Sequence, residues 1–149
     1  MTPRALLQSN LFGGTGGNFF DDHNDNIVGI VGMRIRAGGD DWEAVNSIQV
    51  TYRLEDGSNY IAPMHGIVNT GTEHSFTLAD GEKLIRMEGM VNRYMYIGAL
   101  TFYSNMNNVY GPYGTNGLTQ FSFTATEIVA LFGRAGGVID AIGVYYNIN

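Results

Sequence analysis

Three segments of the chain carry one strand pattern: Asn46-Ser47-Ile48-Gln49-Val50, Gly98-Ala99-Leu100-Thr101-Phe102 and Asp140-Ala141-Ile142-Gly143-Val144. Each follows a glycine-containing turn and a strand bearing a phenylalanine, Phe20, Phe76 and Phe121 in turn. Recurrence at roughly 40–55 residues suits a repeat unit of four short strands. Three such sheets packed around one axis bury a shared core and leave their loops gathered at the ends. The expected fold is all-β: three four-stranded antiparallel sheets related by pseudo-threefold symmetry.

Composition agrees with that reading. A chain of 149 residues is one domain by length and large enough for a core. Its 21 glycines are about double the usual share, and 9 Tyr and 8 Phe stand among few charges. This favours strands and tight turns over helices, and no window shows a capped helical period. Strands are expected over residues 27–36, 74–78, 84–91, 97–104, 120–124 and 127–132. The clearest has Ile48, Val50, Tyr52 and Leu54 alternating with Ser47, Gln49, Thr51 and Arg53 before an Asp56-Gly57 turn. Tyr110-Gly111-Pro112-Tyr113-Gly114 reads as a turn.

Charge and residue types exclude several function classes. The formal net charge is -6 with 8 Lys and Arg, so the basic patch that nucleic acid or an anionic membrane needs is missing. No apolar stretch approaches the ~20 residues of a membrane span. The chain contains no cysteine, which removes disulfides and thiolate metal sites and is compatible with a reducing compartment. Residues 1–8 read as an extension or strand whose apolar run is too short for a signal peptide. A cytoplasmic location is the expectation, with secretion by another route as the alternative.

Metal and cofactor motifs fail on their spacing. Asp22, Asn24 and Asn26 begin like an EF-hand loop, but Ile27 and Met33 stand where it needs Gly and Glu. His23, His65 and His74 have no ligand spacing. Gly13-Gly14-Thr15-Gly16-Gly17 lacks the third glycine of a dinucleotide loop, because Phe19 stands there, and also lacks a Gly-Lys-Ser/Thr end. No cofactor and no metal are expected.

One stretch offers binding chemistry. Residues 132–140, Phe-Gly-Arg-Ala-Gly-Gly-Val-Ile-Asp, read as a glycine-rich loop entering a strand with Asp140 at the junction. Amide N–H donors beside one ionised acceptor suit a ligand with adjacent hydroxyls, each of which both donates and accepts. A hairpin loop whose Asp caps its own backbone is the structural alternative. Trp42, the sole tryptophan, lies in a turn beside acidic residues and reads either as a sugar platform or as packing.

Taken together, residues 9–147 resemble the jacalin-related lectins, whose fold is the β-prism I. The resemblance is carried by Gly13-Gly14-Thr15-Gly16-Gly17 with Phe19 and Phe20, and by Ser47-Ile48-Gln49-Val50-Thr51-Tyr52. Gly111-Pro112-Tyr113-Gly114 and Gly136-Gly137-Val138-Ile139-Asp140-Ala141-Ile142-Gly143 complete it. It implies a single lectin domain over residues 1–149 that binds carbohydrate without catalysis.

The family's Gly-x-x-x-Asp loop falls on Gly136 to Asp140. The resemblance makes Asp140 the acceptor for sugar hydroxyls and gives Gly137 and Val138 backbone donors, with Gly17 closing the other side. It implies that the neighbouring loop at Val91, Asn92 and Arg93 tunes preference. A second site found in some members is expected to be absent or altered, because Asn46 replaces its Asp and Trp42 its leading Gly. Gly98 offers no acid in the third repeat. Aliphatic Val138 and a Gly17 inside a continuous chain lean toward mannose or glucose, with galactose as the alternative.

A sugar hydroxyl gains only about 0.5–1.5 kcal/mol net per hydrogen bond. After association costs, single-site affinity is expected at roughly millimolar to high micromolar. Useful strength then needs linked sites, so a homo-oligomer is expected, joined through edge strands. A glycoside hydrolase would need a second carboxyl about 5–9.5 Å from the first, and only Asp21 or Asp22 is a candidate. An interaction or targeting module with a degenerate sugar site is the remaining alternative.

Overall fold

The computed structural model describes residues 6–39, 42–115 and 117–148. In chain order the first strands are β1 (Leu7–Gln8), β2 (Phe12–Gly13), β3 (Asn18–Asp21), β4 (Ile27–Ala37) and β5 (Val45–Leu54). Next come β6 (Asn59–Ile61), β7 (His65–Gly66), β8 (Thr72–Thr77), β9 (Leu84–Val91) and β10 (Ile97–Ser104). The last are β11 (Val109–Gly114), β12 (Thr119–Thr124), β13 (Glu127–Ala135) and β14 (Ile139–Asn147). No helix occurs among the described residues.

Three antiparallel sheets result. Their long hairpins are β4–β5, β9–β10 and β13–β14, one for each repeat. Each hairpin gains an edge strand beside its second member and a return strand beside its first, the Greek-key arrangement. Thus β8 returns to β4, β12 to β9, and β3 to β13. The Phe76 and Phe121 strands therefore pair with the sheet of the repeat before them in sequence, whereas Phe20 joins the sheet of Asp140, the last in the chain. The N-terminal β1 and β2 supply the edge of that last sheet by pairing with β14.

Two sheets have five strands rather than four, because their edge position is split. Between β6 and β7 stands Pro63, which has no N–H for the ladder. Between β1 and β2, Ser9 uses its own N–H and hydroxyl on the carbonyl and N–H of Val144, both at 2.9 Å. In the remaining sheet, residues 110–114 are not a turn. They belong to edge strand β11, where an edge position and a register shift opposite Leu100 and Phe102 accommodate Gly111 and Pro112. Gly133, Arg134 and Ala135, expected in a loop, instead continue β13 and leave only residues 136–138 as the turn.

The core lies where the three sheets face one another. Ile48, Leu100 and Ile142 hold equivalent places in the three patterns, and all are fully buried, as are Val50, Phe102 and Val144 two residues on. Burial of each such side chain stabilises by about 1.5–3 kcal/mol. Three glycines let the edge strands lie close to these inner strands. A Cβ on Gly13, Gly66 or Gly114 would stand 2.4, 2.1 or 2.3 Å from the carbonyl oxygens of Asp140, Asn46 and Gly98. Their φ values of +123°, +97° and +85° also favour glycine. These matching contacts place Asp140, Asn46 and Gly98 at equivalent points of the three sheets.

A buried polar network ties two sheets together. The Tyr52 hydroxyl on β5 donates to Asp22 Oδ2 at 2.7 Å and accepts the N–H of Leu131 on β13 at 3.1 Å. His65 Nε2 lies 2.7 Å from Asp22 Oδ1, and its ring stacks on Phe20. Burial, then the charge of Asp22, push the Tyr52 hydroxyl well above its ordinary value, so it stays protonated as a donor. Tyr52→Phe leaves a buried carboxylate oxygen and an amide without this partner. It should lower unfolding stability by about 1–3 kcal/mol in urea titration. An unchanged midpoint would show that the network contributes nothing.

Candidate functional site

Strand register brings the turns of all three long hairpins to one end of the molecule. Ala37 pairs with Thr72, Val91 with Thr119, and Ala135 with Asn18, so the loops leading into β8, β12 and β3 gather there too. A cavity of about 340 Å³ opens among them. Gly136, Gly137, Val138 and Asp140 line it from the β13–β14 hairpin, and Gly17 from the loop before β3. Trp42, Ile67 and Thr70 enter from the second repeat and Tyr96 from the third.

Asp140 lies two residues ahead of core residue Ile142 in the same alternation, which draws it inward to 5% exposure. Two glycines cover its carboxylate. A Cβ on Gly16 would stand 2.6 Å from Oδ2, and one on Gly17 would stand 2.5 Å from Oδ1. Gly17 also has φ +68°, the left-handed region. Arg134, on β13, holds these glycines in place. Its Nε and Nη2 donate to the carbonyls of Gly16 and Gly17, each at 2.9 Å.

No described residue donates a hydrogen bond to the Asp140 carboxylate, whose neighbours act on it through burial and charge. Burial pushes its carboxyl above the ordinary 3.8, and the positive Arg134 draws it partly back. The Gly136 N–H is used within the turn, on the Val138 carbonyl at 3.0 Å. The N–H groups of Gly137 and Val138 have no partner among the described residues. One acceptor and two donors thus stand together without hydrogen-bond partners among the described residues, while the Val138 side chain is buried.

The equivalent points of the other sheets differ. Asn46 is fully buried, and Gly71 lies against it as Gly17 lies against Asp140, its Cβ position 2.4 Å from Oδ1. The Gly39 N–H also reaches that oxygen, at 3.4 Å. The second repeat therefore keeps the glycine cover but presents a sealed amide in place of a carboxylate. Gly98 has no side chain to offer.

None of Val91, Asn92 and Arg93 lines the cavity. Val91 ends β9 half-buried, and Arg93 pairs with Glu43 at 3.2 Å. Asn92 is buried and fully occupied. Its Oδ1 accepts from the N–H groups of Tyr94 and Tyr96, and its Nδ2 donates to the carbonyls of Trp42 and Glu43. This loop reaches the site through Tyr96 instead. Gly16, Arg134, Ile67, Thr70 and Tyr96 are contributors that sequence reasoning did not single out. Gly16 and Arg134 lie inside stretches the sequence pointed to, the glycine loop of residues 13–17 and residues 132–140, whereas no pattern along the chain signalled Ile67, Thr70 or Tyr96. No group of three or more metal-ligating side chains occurs among the described residues.

The model of the jacalin-like lectin domain family matches residues 9–145. Jacalin-related lectin 10 of Arabidopsis thaliana is 30% identical over 155 residues, covering 99% of this chain and 47% of that protein. The chain thus spans about half the length of that relative. Among solved structures, wild-type Malaysian banana lectin superposes with a TM-score of 0.85 at 32% identity, covering 97% of this chain and 100% of that one. A mannose binding jacalin related lectin from Ananas comosus superposes at 0.84 with 31% identity, covering 97% and 99%.

Two substitutions test the geometry. Gly17→Ala sets a methyl against Asp140 Oδ1 and should abolish ligand binding while the thermal transition stays cooperative. Arg134→Gln removes the charge that lowers the Asp140 carboxyl. Binding by the ionised form fails as pH falls through that raised value, so the variant should lose ligand at a higher pH than the wild type in a pH series of titrations. Superimposable pH profiles would separate Arg134 from the site.

Proposed function

We propose that this chain, which belongs to the jacalin-like lectin domain family, is a non-catalytic carbohydrate-binding module. It takes one mannose- or glucose-type hexose between the β13–β14 turn and the Gly16-Gly17 loop. The observation that carries this reading is the Asp140 carboxylate, 5% exposed and without a donor among the described residues, beside the N–H groups of Gly137 and Val138, which have no partner among them either. Adjacent sugar hydroxyls supply what each of these groups lacks, a donor to the carboxylate and acceptors for the amides.

Two features favour the mannose or glucose type by the family resemblance: aliphatic Val138, and Gly17 lying inside the sequence. The description of the Ananas comosus relative as mannose binding adds to them. A reaction is disfavoured by the placement of Asp21 and Asp22, the two candidates for a second carboxyl. Asp21 accepts from the Tyr145 hydroxyl at 2.7 Å and the His23 N–H at 2.9 Å, while Asp22 is held by Tyr52 and His65. Neither lines the cavity with Asp140. Single-site affinity at millimolar to high micromolar follows from so few hydrogen bonds, and a homo-oligomer would raise it by about 10²–10⁴ through multivalency.

A glycan array run with wild type and Asp140→Ala side by side tests this. Mannose-type signals that vanish in the variant are expected. Galactose-type signals that vanish would keep the site and overturn the sugar preference. Silence from both proteins, with native circular dichroism, would replace the lectin reading with an interaction module.

A further inference from the structure

The third repeat has no acid at its equivalent point, where Gly98 stands, yet its hairpin turn is closely fixed. Asn92 accepts the Met95 N–H on its carbonyl at 3.0 Å and donates its own N–H to the Tyr96 carbonyl at 2.8 Å. Its Oδ1 accepts the Tyr94 and Tyr96 amides at 2.9 and 3.1 Å. Within this frame Met95 sits at φ 66°. Glycine takes up that left-handed region freely and asparagine fairly often, but a bulkier residue keeps it only where its surroundings over-determine it. Side-chain burial does not do so here, because Met95 is 58% exposed. The backbone of the turn holds it.

What this strained residue meets is the glycine loop of the first repeat. A Cβ on Gly14 would stand 2.5 Å from the Met95 carbonyl oxygen and 3.1 Å from the Met95 Cβ. On its other side, the Gly14 N–H donates to the Asp140 carbonyl at 2.9 Å. Gly14 is thus held between the strand that carries the candidate carboxylate and the turn of the third hairpin. Two and three residues further on, Gly16 and Gly17 cover that carboxylate. A run of glycines has many conformations open to it, so a cover built from them needs fixed points. Arg134 fixes the far end through the Gly16 and Gly17 carbonyls. Met95 fixes the near end. Neither Gly14 nor Met95 lines the cavity.

We propose that Met95 is a positioning residue for the site at Asp140. The backbone of the third hairpin turn acts as a stop against Gly14 and sets how closely the Gly16-Gly17 cover lies over the carboxylate. The proposal rests on the hexose reading above. A stop of this kind works by pre-organisation: it keeps the loop in its binding position before a ligand arrives, so that association need not order it. The left-handed conformation of Met95 then has a purpose in binding, and relieving it should help the fold and harm the site.

Titration with methyl α-mannopyranoside across a pH series, with thermal unfolding alongside, tests it on wild type, Met95→Gly, Gly14→Ala and the double variant. Met95→Gly frees the turn and should weaken binding about 2- to 12-fold, the size of one lost ordering step, while its thermal midpoint holds or rises. Its acid limb of binding should move to lower pH. A looser cover relieves the burial that raises the Asp140 carboxyl, and burial outweighs the opposing charge of Arg134. Gly14→Ala pushes the loop off the Met95 carbonyl and should also weaken binding, and the two losses should not multiply in the double variant, as expected for residues in contact. Asn107→Gly is the control, since Asn107 has φ 64° in the β10–β11 turn at the opposite end, and it should leave affinity unchanged. Wild-type affinity and acid limb in Met95→Gly, or independent losses in the double variant, would overturn the proposal and leave the hexose site standing. If Gly14→Ala does not fold, Met95→Gly against Asn107→Gly decides alone. No binding of the sugar by wild type would overturn the hexose reading and this proposal with it.

Discussion

Each of the three sheets can bury its apolar face only against the other two, and the rest of the structure follows from that mutual burial. Ile48, Leu100 and Ile142 meet because each stands at the same point of its own hairpin. The hairpins therefore share one orientation, and their turns share one end. Glycine makes the packing possible at the edges. Gly13, Gly66 and Gly114 lie against inner-strand carbonyls where a side chain has no room. The high glycine content is thus a requirement of backbone contact as much as of turns.

The candidate site arises from the same symmetry by breaking it. Three equivalent points carry Asp140, Asn46 and Gly98, and one of them keeps a carboxylate. A nearly buried charge is costly unless it is satisfied. Here the Gly16-Gly17 cover and the Arg134 positive charge hold it in position without donating to it, which leaves its acceptor capacity for a ligand. The second repeat retains the glycine cover over Asn46, and its turn contributes Trp42 to the cavity of the first. Loops at equivalent points of the fold thus contribute different groups to one cavity.

Much of this was legible in the residues. The period-two alternation of Ile48, Val50 and Tyr52 predicted β5, and Leu84–Val91 and Ile97–Ser104 stand as strands with the expected limits. Edges read less well. β11 looked like a turn because Gly and Pro normally interrupt strands, yet an edge position tolerates both. The phenylalanine strands were visible, but their partners were not, since a Greek-key return crosses to the first strand of its hairpin and not to the next one in sequence.

The sequence alone determined the all-β class, the threefold repeat and the position of the candidate carboxylate, Asp140. Each of these is written in local order, as alternation, as recurrence, or as an Asp after a Gly-Gly turn. Tertiary structure alone decided that Gly16 and Arg134 flank Asp140, that Asn92 is internal scaffolding, and that Trp42 and Tyr96 face the same cavity. Those residues lie in three different repeats. They meet because the shared core aligns the three hairpins, and no spacing along the chain records that convergence.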